Sequence, residues 1–225
     1  MITYHRDLIQ GSDAWLAARR GLLTASEMAR IITPTLKVAR NEKASAHLYE
    51  LLAQRITGYV EPHYISDDML RGQVDEIEAR ALYARHYAPV TEMGFITNDE
   101  WGFTIGYSPD GLVGEDGLIE CKSRRQKFQA ETIISRNVPE EYEIQMQTGM
   151  LVTGRRWCDF VSYCGGMPMT TIRYPADDEI QDAIIEAATD FELRLSKMEE
   201  AYQTSLLGGR HIPTERRIEQ EMFLS

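Results

Sequence analysis

The chain has 225 residues, of which 43% are hydrophobic and 26% are charged, and its formal net charge is −11. This length and composition predict an ordinary globular protein with a sizeable hydrophobic core. A membrane-spanning helix is not expected, because no apolar run approaches the roughly 20 residues that a span needs. The N-terminus also lacks the apolar stretch of a secretory signal, so we expect a cytoplasmic protein without membrane contact.

The three cysteines, Cys121, Cys158 and Cys164, are odd in number and show no C-x-x-C spacing. This pattern argues against a disulfide framework and against a zinc or iron–sulfur site. We expect reduced, partly buried thiols.

The charge is unevenly distributed along the chain. Residues 1–60 hold 8 Lys and Arg against 5 Asp and Glu, whereas residues 175–225 hold 5 against 12. The net charge lowers the expectation of tight nonspecific binding to nucleic acid. A polyanion would meet the N-terminal part and the basic residues Lys122, Arg124, Arg125 and Lys127. An enzyme acting on DNA is therefore not excluded, and the acidic C-terminal helix would face away from DNA or meet another subunit.

The first half of the chain reads as helical over residues 12–87. Ser12 can begin a short helix through Arg20, and Thr24-Ala-Ser-Glu27 has the spacing of a capping box, which predicts a helix to about Ile32. Residues 42–57 have helical periodicity and end at Gly58. Residues 68–87 form a longer predicted helix. Its apolar stripe comprises Leu70, Val74, Ile77, Ala81 and Leu82.

The pattern changes to short β segments at residue 90. Residues 90–97, 101–107 and 118–123 are separated by turn signals and predict a meander of three strands. Residues 127–135 and 139–153 look helical. Two further strands, 157–164 and 169–174, precede an amphipathic helix over 177–203. The fold class is α/β or α+β, with one central mixed sheet flanked by helices. We read a single domain, 1–225, with a helical part at 12–87, a sheet core at 90–175 and the C-terminal helix.

The informative segment runs from Ser108 to Lys122. Asp110 ends one predicted strand, and Glu120 and Lys122 lie two residues apart in the next. Because a strand alternates its faces, Glu120 and Lys122 point the same way while the Cys121 side chain points oppositely. If the two strands are neighbours, two carboxylates and an ammonium group converge.

This constellation is suited to hydrolysis of a phosphodiester bond. Carboxylate oxygens bind Mg²⁺, which polarises a phosphoryl oxygen and activates a bound water. Lys122 can orient that water and offset charge in the transition state, and the Cys121 carbonyl can supply a further ligand. Glu76 is another candidate, although a solvated helix face is the usual explanation of such a local pattern. Gln145 and Gln147 alone are polar helix positions.

Four blocks of the chain resemble the lambda-exonuclease-like phage recombination nucleases of the YqaJ type, within the PD-(D/E)xK superfamily. The blocks are Trp15 to Glu27, Gly72 to Glu76, Ser108 to Leu112 with Leu118 to Lys122, and Ile144 to Gln147. They cover roughly residues 15–150. The Glu-Cys-Lys core has cysteine where the commoner middle residue is apolar, which changes little if only its backbone is used.

The resemblance implies roles for individual residues. Asp110, Glu120, the Cys121 carbonyl and Glu76 would bind two Mg²⁺ ions, for which Mn²⁺ could substitute. Lys122 would be the catalytic lysine. Gln145, rather than Gln147, would position the lysine or the attacking water.

The same resemblance implies a set of residues that contact DNA. Arg19, Ser26 and Ser108 would hold the 5′-phosphate of the digested strand, because a guanidinium offers forked donors to phosphate. Arg20 is adjacent, so the sequence leaves open which arginine binds. Met69 or Leu70 would be the wedge that separates the terminal base pair.

The implied activity is 5′-to-3′ digestion of linear double-stranded DNA. It leaves a 3′ single strand for an annealing protein, and the family forms a homotrimeric ring around DNA in the bacterial host of a phage or prophage. Two alternatives stay open: an endonuclease or repair nuclease with the same core, and a DNA-end binding protein without catalysis. The intact Asp110, Glu120 and Lys122 set argues against the second, because binding alone does not require carboxylates facing a phosphate.

Overall fold

The computed structural model describes residues 1–62 and 66–216. The helices are α1 Asp13–Arg19, α2 Glu42–Thr57, α3 Asp67–His86, α4 Gln126–Ser135, α5 Glu140–Thr153 and α6 Asp178–Gly208, with a 3₁₀ turn at Met28–Arg30. The strands are β1 Ile2–His5, β2 Leu23–Thr24, β3 Phe95–Asn98, β4 Ile105–Tyr107, β5 Gly111–Val113, β6 Gly117–Ser123, β7 Trp157–Tyr163 and β8 Thr170–Pro175.

The strands form two mixed four-stranded sheets. The first has the order β1-β3-β4-β2, in which β2 and β4 are parallel, and the second has the order β5-β6-β7-β8, in which β6 and β7 are parallel. The mixed α/β class with flanking helices is thus confirmed, but the strands do not share one sheet.

The predicted three-strand meander is wrong, because its third strand does not pair with its second. The chain changes sheets between β4 and β5, so β6 pairs with β5 and β7 and not with β4. The β5 segment is short and begins with Gly111, so its sequence predicts only a turn. A Cβ at Gly111 would lie 2.2 Å from the side chain of Val90, so glycine is needed where Val90 packs against the start of β5.

The predicted helix from Thr24 to Ile32 is also wrong. Thr24 lies in β2, where it pairs in parallel with Gly106, and only the single 3₁₀ turn follows. The Thr24 and Glu27 side chains do meet, with Thr24 Oγ1 donating to Glu27 Oε2 at 2.7 Å. Pairing with β4 therefore overrides the local capping signal.

Helix boundaries elsewhere follow ordinary capping chemistry. The Asn41 side chain accepts from the amide of Ala44 at the start of α2, and Gly58 ends that helix with a φ of 65°. Asp177 caps α6, which continues to Gly208, beyond the predicted end at residue 203.

The main core lies where α5 packs against strands of both sheets and where α6 packs against α2 and α5. α3 covers β6 and β7 with Ala79 and Tyr83, which pack on Ile119, Cys121 and Val161. The outer stripe of α3, by contrast, is exposed at Leu70, Val74 and Ile77. Within the described part of the chain, no helix is long and apolar enough to cross a membrane.

Candidate active site

β6 presents Glu120 and Lys122 on one face, as strand alternation predicts. Lys122 Nζ lies 2.6 Å from Glu120 Oε1, and Glu120 is only 1% exposed. Gln145 on α5 bridges this pair, because its Nε2 donates to Glu120 Oε1 at 2.6 Å while its Oε1 accepts from Lys122 at 3.3 Å. Gln147 instead bonds the backbone of Pro175 and Asp177. The structure therefore brings Gln145, and not Gln147, into the site.

Asp110 reaches the same place from the start of β5. Its Oδ2 accepts from the Cys121 amide at 2.6 Å, where β5 no longer pairs with β6. The amide and carbonyl of one strand residue point to the same side, so the Cys121 carbonyl also faces Asp110. The Cys121 thiol points to the opposite face, against α3.

Glu76 approaches from α3 beside Arg80, a residue that the sequence reading missed. Arg80 Nη1 donates to Glu76 Oε1 at 3.2 Å and to the Asp110 carbonyl oxygen at 3.3 Å. Arg80 follows Glu76 by four residues, the spacing that places two helical side chains on one face. That spacing is the signal which could have identified it.

The electrostatics of the site are those of crowded carboxylates. Burial, reinforced by the charges of Glu120 and Glu76, raises the pKa of Asp110 well above its usual value. Burial also raises the pKa of Glu76, although Arg80 opposes the shift. For Lys122, burial lowers the pKa, but the Glu120 and Asp110 charges outweigh it and the net shift is upward. Lys122 therefore stays an ammonium group at neutral pH.

These residues fit a divalent cation. Asp110, Glu120, Glu76 and the Cys121 carbonyl offer only hard oxygen donors, the ligands that Mg²⁺ prefers. Their mutual repulsion is what a bound cation would offset.

A second cluster of possible ligands lies at Glu27, His47 and Glu50, whose ligand atoms lie within 4.8 Å of one another. Arg30 Nη1 contacts all three, at 4.0 Å from Glu27, 3.4 Å from His47 and 3.0 Å from Glu50. The guanidinium group already supplies the positive charge there, so we interpret this cluster as an ion-pair network and not as a metal site.

The residues predicted to hold a 5′-phosphate also converge. Arg19 Nη1 lies 3.5 Å from Ser108 Oγ, and Arg19 Nη2 donates to Thr24 Oγ1 at 3.2 Å. Ser26 Oγ lies 3.3 Å from Thr24 Oγ1. Burial lowers the pKa of Arg19, and Glu27 opposes that shift. Hydroxyl groups and a guanidinium thus form one polar cluster, which we call the Arg19 pocket, and its member Ser108 lies two residues before Asp110.

The structure also separates the two candidate arginines. Arg19 stacks on the Trp15 ring, 4.2 Å from its centroid, and Trp15 Nε1 donates to Ser108 Oγ at 2.9 Å. Arg20 turns away and donates to the Gly58 carbonyl at the end of α2. The sequence reading did not single out Trp15, which lies four residues before Arg19 on the same face of α1.

Met69 is 51% exposed on the first turn of α3. It precedes Glu76 by seven residues and so shares a helix face with it. The structure therefore places the predicted wedge at an exposed end, on the flank of α3 that faces the carboxylates.

Gly149 lets α5 approach closely enough for Gln145 to reach the site. A Cβ at Gly149 would lie 2.7 Å from Cζ of Tyr107, whose hydroxyl in turn lies 3.4 Å from Glu120 Oε2. Gln145 is one turn earlier on the same face of α5. Neither Tyr107 nor Gly149 was identified from the sequence.

The sequence profile of the YqaJ-like viral recombinase domain matches residues 14–156. The chain belongs to this family. The match spans both the Arg19 pocket and the carboxylate cluster, and it confirms the resemblance seen in the sequence.

Two solved structures of an alkaline exonuclease from Laribacter hongkongensis are similar to this family member. One is 35% identical with a TM-score of 0.78, and the other, in complex with dAMP, is 35% identical with a TM-score of 0.79. Each comparison covers 87% of this chain and 98% of that one. The chain is thus a nuclease of the YqaJ-like family.

A phage-related exonuclease from Haemophilus somnus 129PT shares the fold at 16% identity and a TM-score of 0.55, with 79% of this chain and 96% of that one covered. No curated protein matches the chain.

Proposed function

We propose that the protein is a Mg²⁺-dependent 5′-to-3′ exonuclease that digests linear double-stranded DNA from 5′-phosphorylated ends. The observation that carries this proposal is the adjacency of two sites with different chemistry. The pocket of Arg19 and Ser108 suits a terminal phosphate, and the carboxylates around Asp110 and Glu120 suit a metal centre. Only Pro109 separates Ser108 from Asp110. A strand end bound in the phosphate pocket therefore lies beside the carboxylates.

Each residue of the centre has a distinct task in this scheme. Asp110, Glu120, Glu76 and the Cys121 carbonyl would hold Mg²⁺, which when bound supplies Lewis-acid activation of the phosphodiester and of a water. Lys122 keeps its proton and stabilises the negative charge that develops on the phosphate. Gln145 fixes the positions of Lys122 and Glu120 through its two hydrogen bonds.

The phosphate pocket supplies orientation. Arg19 is held over the Trp15 ring and between two hydroxyl groups, so its forked donors are ordered before the substrate arrives. Ser26 and Ser108 add hydroxyl donors. Because the pocket binds one strand end in an ordered position, the phosphodiester bond is held beside the metal centre before cleavage. This positioning lowers the entropic cost of the reaction.

The wider proposal follows the family. Two Mg²⁺ ions, replaceable by Mn²⁺, would serve the centre, and three chains would form a ring around DNA in the cytoplasm of a bacterial host of a phage or prophage. A single-strand annealing protein would take over the remaining 3′ strand. The dAMP bound to the relative from Laribacter hongkongensis is a mononucleotide, which is the product expected from stepwise digestion.

The competing endonuclease reading uses the same centre but has no need for the Arg19 pocket. We would therefore compare digestion of a 5′-phosphorylated linear duplex with that of its covalently closed circular form, in Mg²⁺ and with labels at defined ends. Stepwise loss of the 5′ label from the linear duplex alone supports the proposal. Cutting of the closed circle supports the endonuclease, and binding without cleavage of either supports an end-binding protein.

A further inference from the structure

A basic cleft borders α3 on a different flank from Glu76. It has a volume of about 600 Å³ and lies between α3, the start of α4 and the turn after β7. Its charged lining residues are Arg71, Asp75, Arg124, Arg125 and Lys127. Four of these five are basic, although the whole chain carries a net charge of −11. Arg124 is paired with Glu141 at 2.8 Å and Arg71 lies 3.9 Å from Asp75, so the lining is more basic than the chain as a whole by less than this count.

On α3, Arg71 and Asp75 line the cleft, whereas Glu76 faces the carboxylates. Arg124 lies on the α5 side of β6, where it contacts Tyr142, whose ring Lys122 also approaches. Glu76 and Arg71 are five residues apart, which places them ~140° apart around a helix of 3.6 residues per turn. The contacts agree with this arrangement, because Glu76 pairs with Arg80 beside Asp110, whereas Asp75 accepts from Ser123 at the end of β6. α3, which carries the exposed Met69 at its N-terminal end, thus borders both sites.

The start of α4 adds further donors to the cleft. No side-chain hydrogen bond caps α4, whose N-terminal position is Arg125. The Phe128 amide donates to the Arg125 carbonyl, so the amides that precede it, those of Gln126 and Lys127, are the ones that face the N-terminal end of the helix. The helix dipole favours an anion at that end. A phosphate group matches both the charge and the hydrogen-bonding capacity of the cleft.

An exposed aromatic ring adjoins the basic residues. Phe128 is 37% exposed, with Lys127 Nζ at 4.4 Å and Arg124 Cζ at 5.1 Å from its ring centroid. Basic grooves with aromatic rings bind single strands, because the cations meet the backbone while unpaired bases stack on the rings. A base inside a duplex is already stacked and cannot use such a ring. The combination favours single-stranded DNA over duplex.

We propose that this cleft binds the backbone of the 3′ single strand that remains after its complement has been digested, while the end of the digested strand enters the carboxylate site on the opposite flank of α3. This assignment rests on the proposed exonuclease function, because that activity generates the single strand. The basic residues that follow Lys122 would then bind DNA separately from the metal centre and from the Arg19 pocket.

The test compares binding of two DNA molecules to the full chain without divalent metal, so that neither is cut. One is a blunt duplex, and the other is the same duplex with a 3′ extension of about 12 nucleotides, roughly one site of this class. Fluorescence anisotropy over a range of salt concentrations gives both the affinity and its salt dependence. We expect the wild type to bind the extended duplex more tightly.

The paired variant Arg125→Gln with Lys127→Gln should lose most of that preference. Its salt slope on the extended duplex should fall by ~1.4, since each phosphate contact to a single strand contributes ~0.7. Phe128→Leu should lower the affinity for the extension roughly five-fold or more through lost stacking. The matched control is Arg156→Gln, an exposed arginine next to the opposite end of β7, roughly 25 Å away along the strand. It should keep the wild-type preference.

Equal affinity of the wild type for both duplexes, or equal weakening of both by the paired variant, would overturn the cleft assignment. Digestion of 5′-phosphorylated linear duplex in Mg²⁺, measured in parallel, separates this result from failure of the proposed function. A protein that digests DNA but ignores the extension lacks only the cleft function. A protein that prefers the extension but digests nothing retains the cleft and lacks the exonuclease.

Discussion

Gly149→Ala should damage the active site without any change to a residue that touches DNA. The added Cβ would lie 2.7 Å from Cζ of the buried Tyr107 ring, with further ring atoms at 2.9 and 3.0 Å. Carbon atoms pack at 3.5–4.0 Å, so α5 and the ring must separate by about 1 Å. Tyr107 is only 1% exposed and has little room to move, so α5 takes up most of the shift.

The shift reaches Gln145 one turn earlier. Its contact from Lys122, already 3.3 Å long, would exceed hydrogen-bond range after a displacement of about 1 Å. A misplacement of that size costs on the order of 10²-fold in rate, so kcat on 5′-phosphorylated linear duplex should fall by about that factor. Stability should change by less than about 2 kcal/mol, because crowding opposes the helix preference of alanine.

The measurement is the initial rate at saturating duplex in Mg²⁺, together with the thermal midpoint. Gly72→Ala is the matched control, because Gly72 is also helical and a Cβ there meets no atom within 4 Å. It should keep the wild-type rate and gain about 0.5–1 kcal/mol from helix propensity. A folded Gly149→Ala protein that digests DNA at the wild-type rate would refute the positioning argument.

Three further outcomes are expected. Lys122→Ala should bind duplex with near-wild-type affinity in a gel-shift assay yet lose about 10²–10³-fold in cleavage rate, as for loss of one charge-stabilising donor; undiminished turnover would remove its assigned role. Arg19→Gln should abolish the rate advantage of phosphorylated over hydroxyl 5′ ends, and a retained advantage would move the phosphate site elsewhere. Asp110→Asn should raise the thermal midpoint of the metal-free protein, because it removes one of the crowded charges, and should also remove the stabilisation that Mg²⁺ gives the wild type. An unchanged response to Mg²⁺ would show that Asp110 is not a ligand.

The sequence predicted the convergence of Asp110, Glu120 and Lys122 better than the sheets that hold them. Strand alternation alone placed Glu120 and Lys122 on one face, because that rule is local and needs only the existence of β6. The pairing of β6 depended on β5, three residues that begin at Gly111, and so short a segment carries no periodicity. Thr24 shows the same limit, since its capping signal was overridden by parallel pairing with β4, more than 80 residues away.

Adjacent residues pose a different difficulty. Arg19 and Arg20 have the same side chain, so the sequence does not distinguish them. Only the backbone turn at the end of α1 decides which one reaches Ser108. The role of Gly149 was hidden for a related reason. A glycine inside a helix normally lowers stability, and only the position of the Tyr107 ring reveals why this one is needed.

The passage from one sheet to the other has a consequence for the size of the product. Ser108, beside Arg19, and Asp110, in the proposed metal centre, are separated by two residue steps, a backbone span of about 7 Å at most. Pro109 stiffens this connection. That span is comparable to the distance between neighbouring phosphates along one DNA strand, so the gripped end and the bond to be cut would be a single nucleotide apart. The segment Ser108–Asp110 would therefore set the length of the released fragment, and lengthening it by one residue would be expected to change that length.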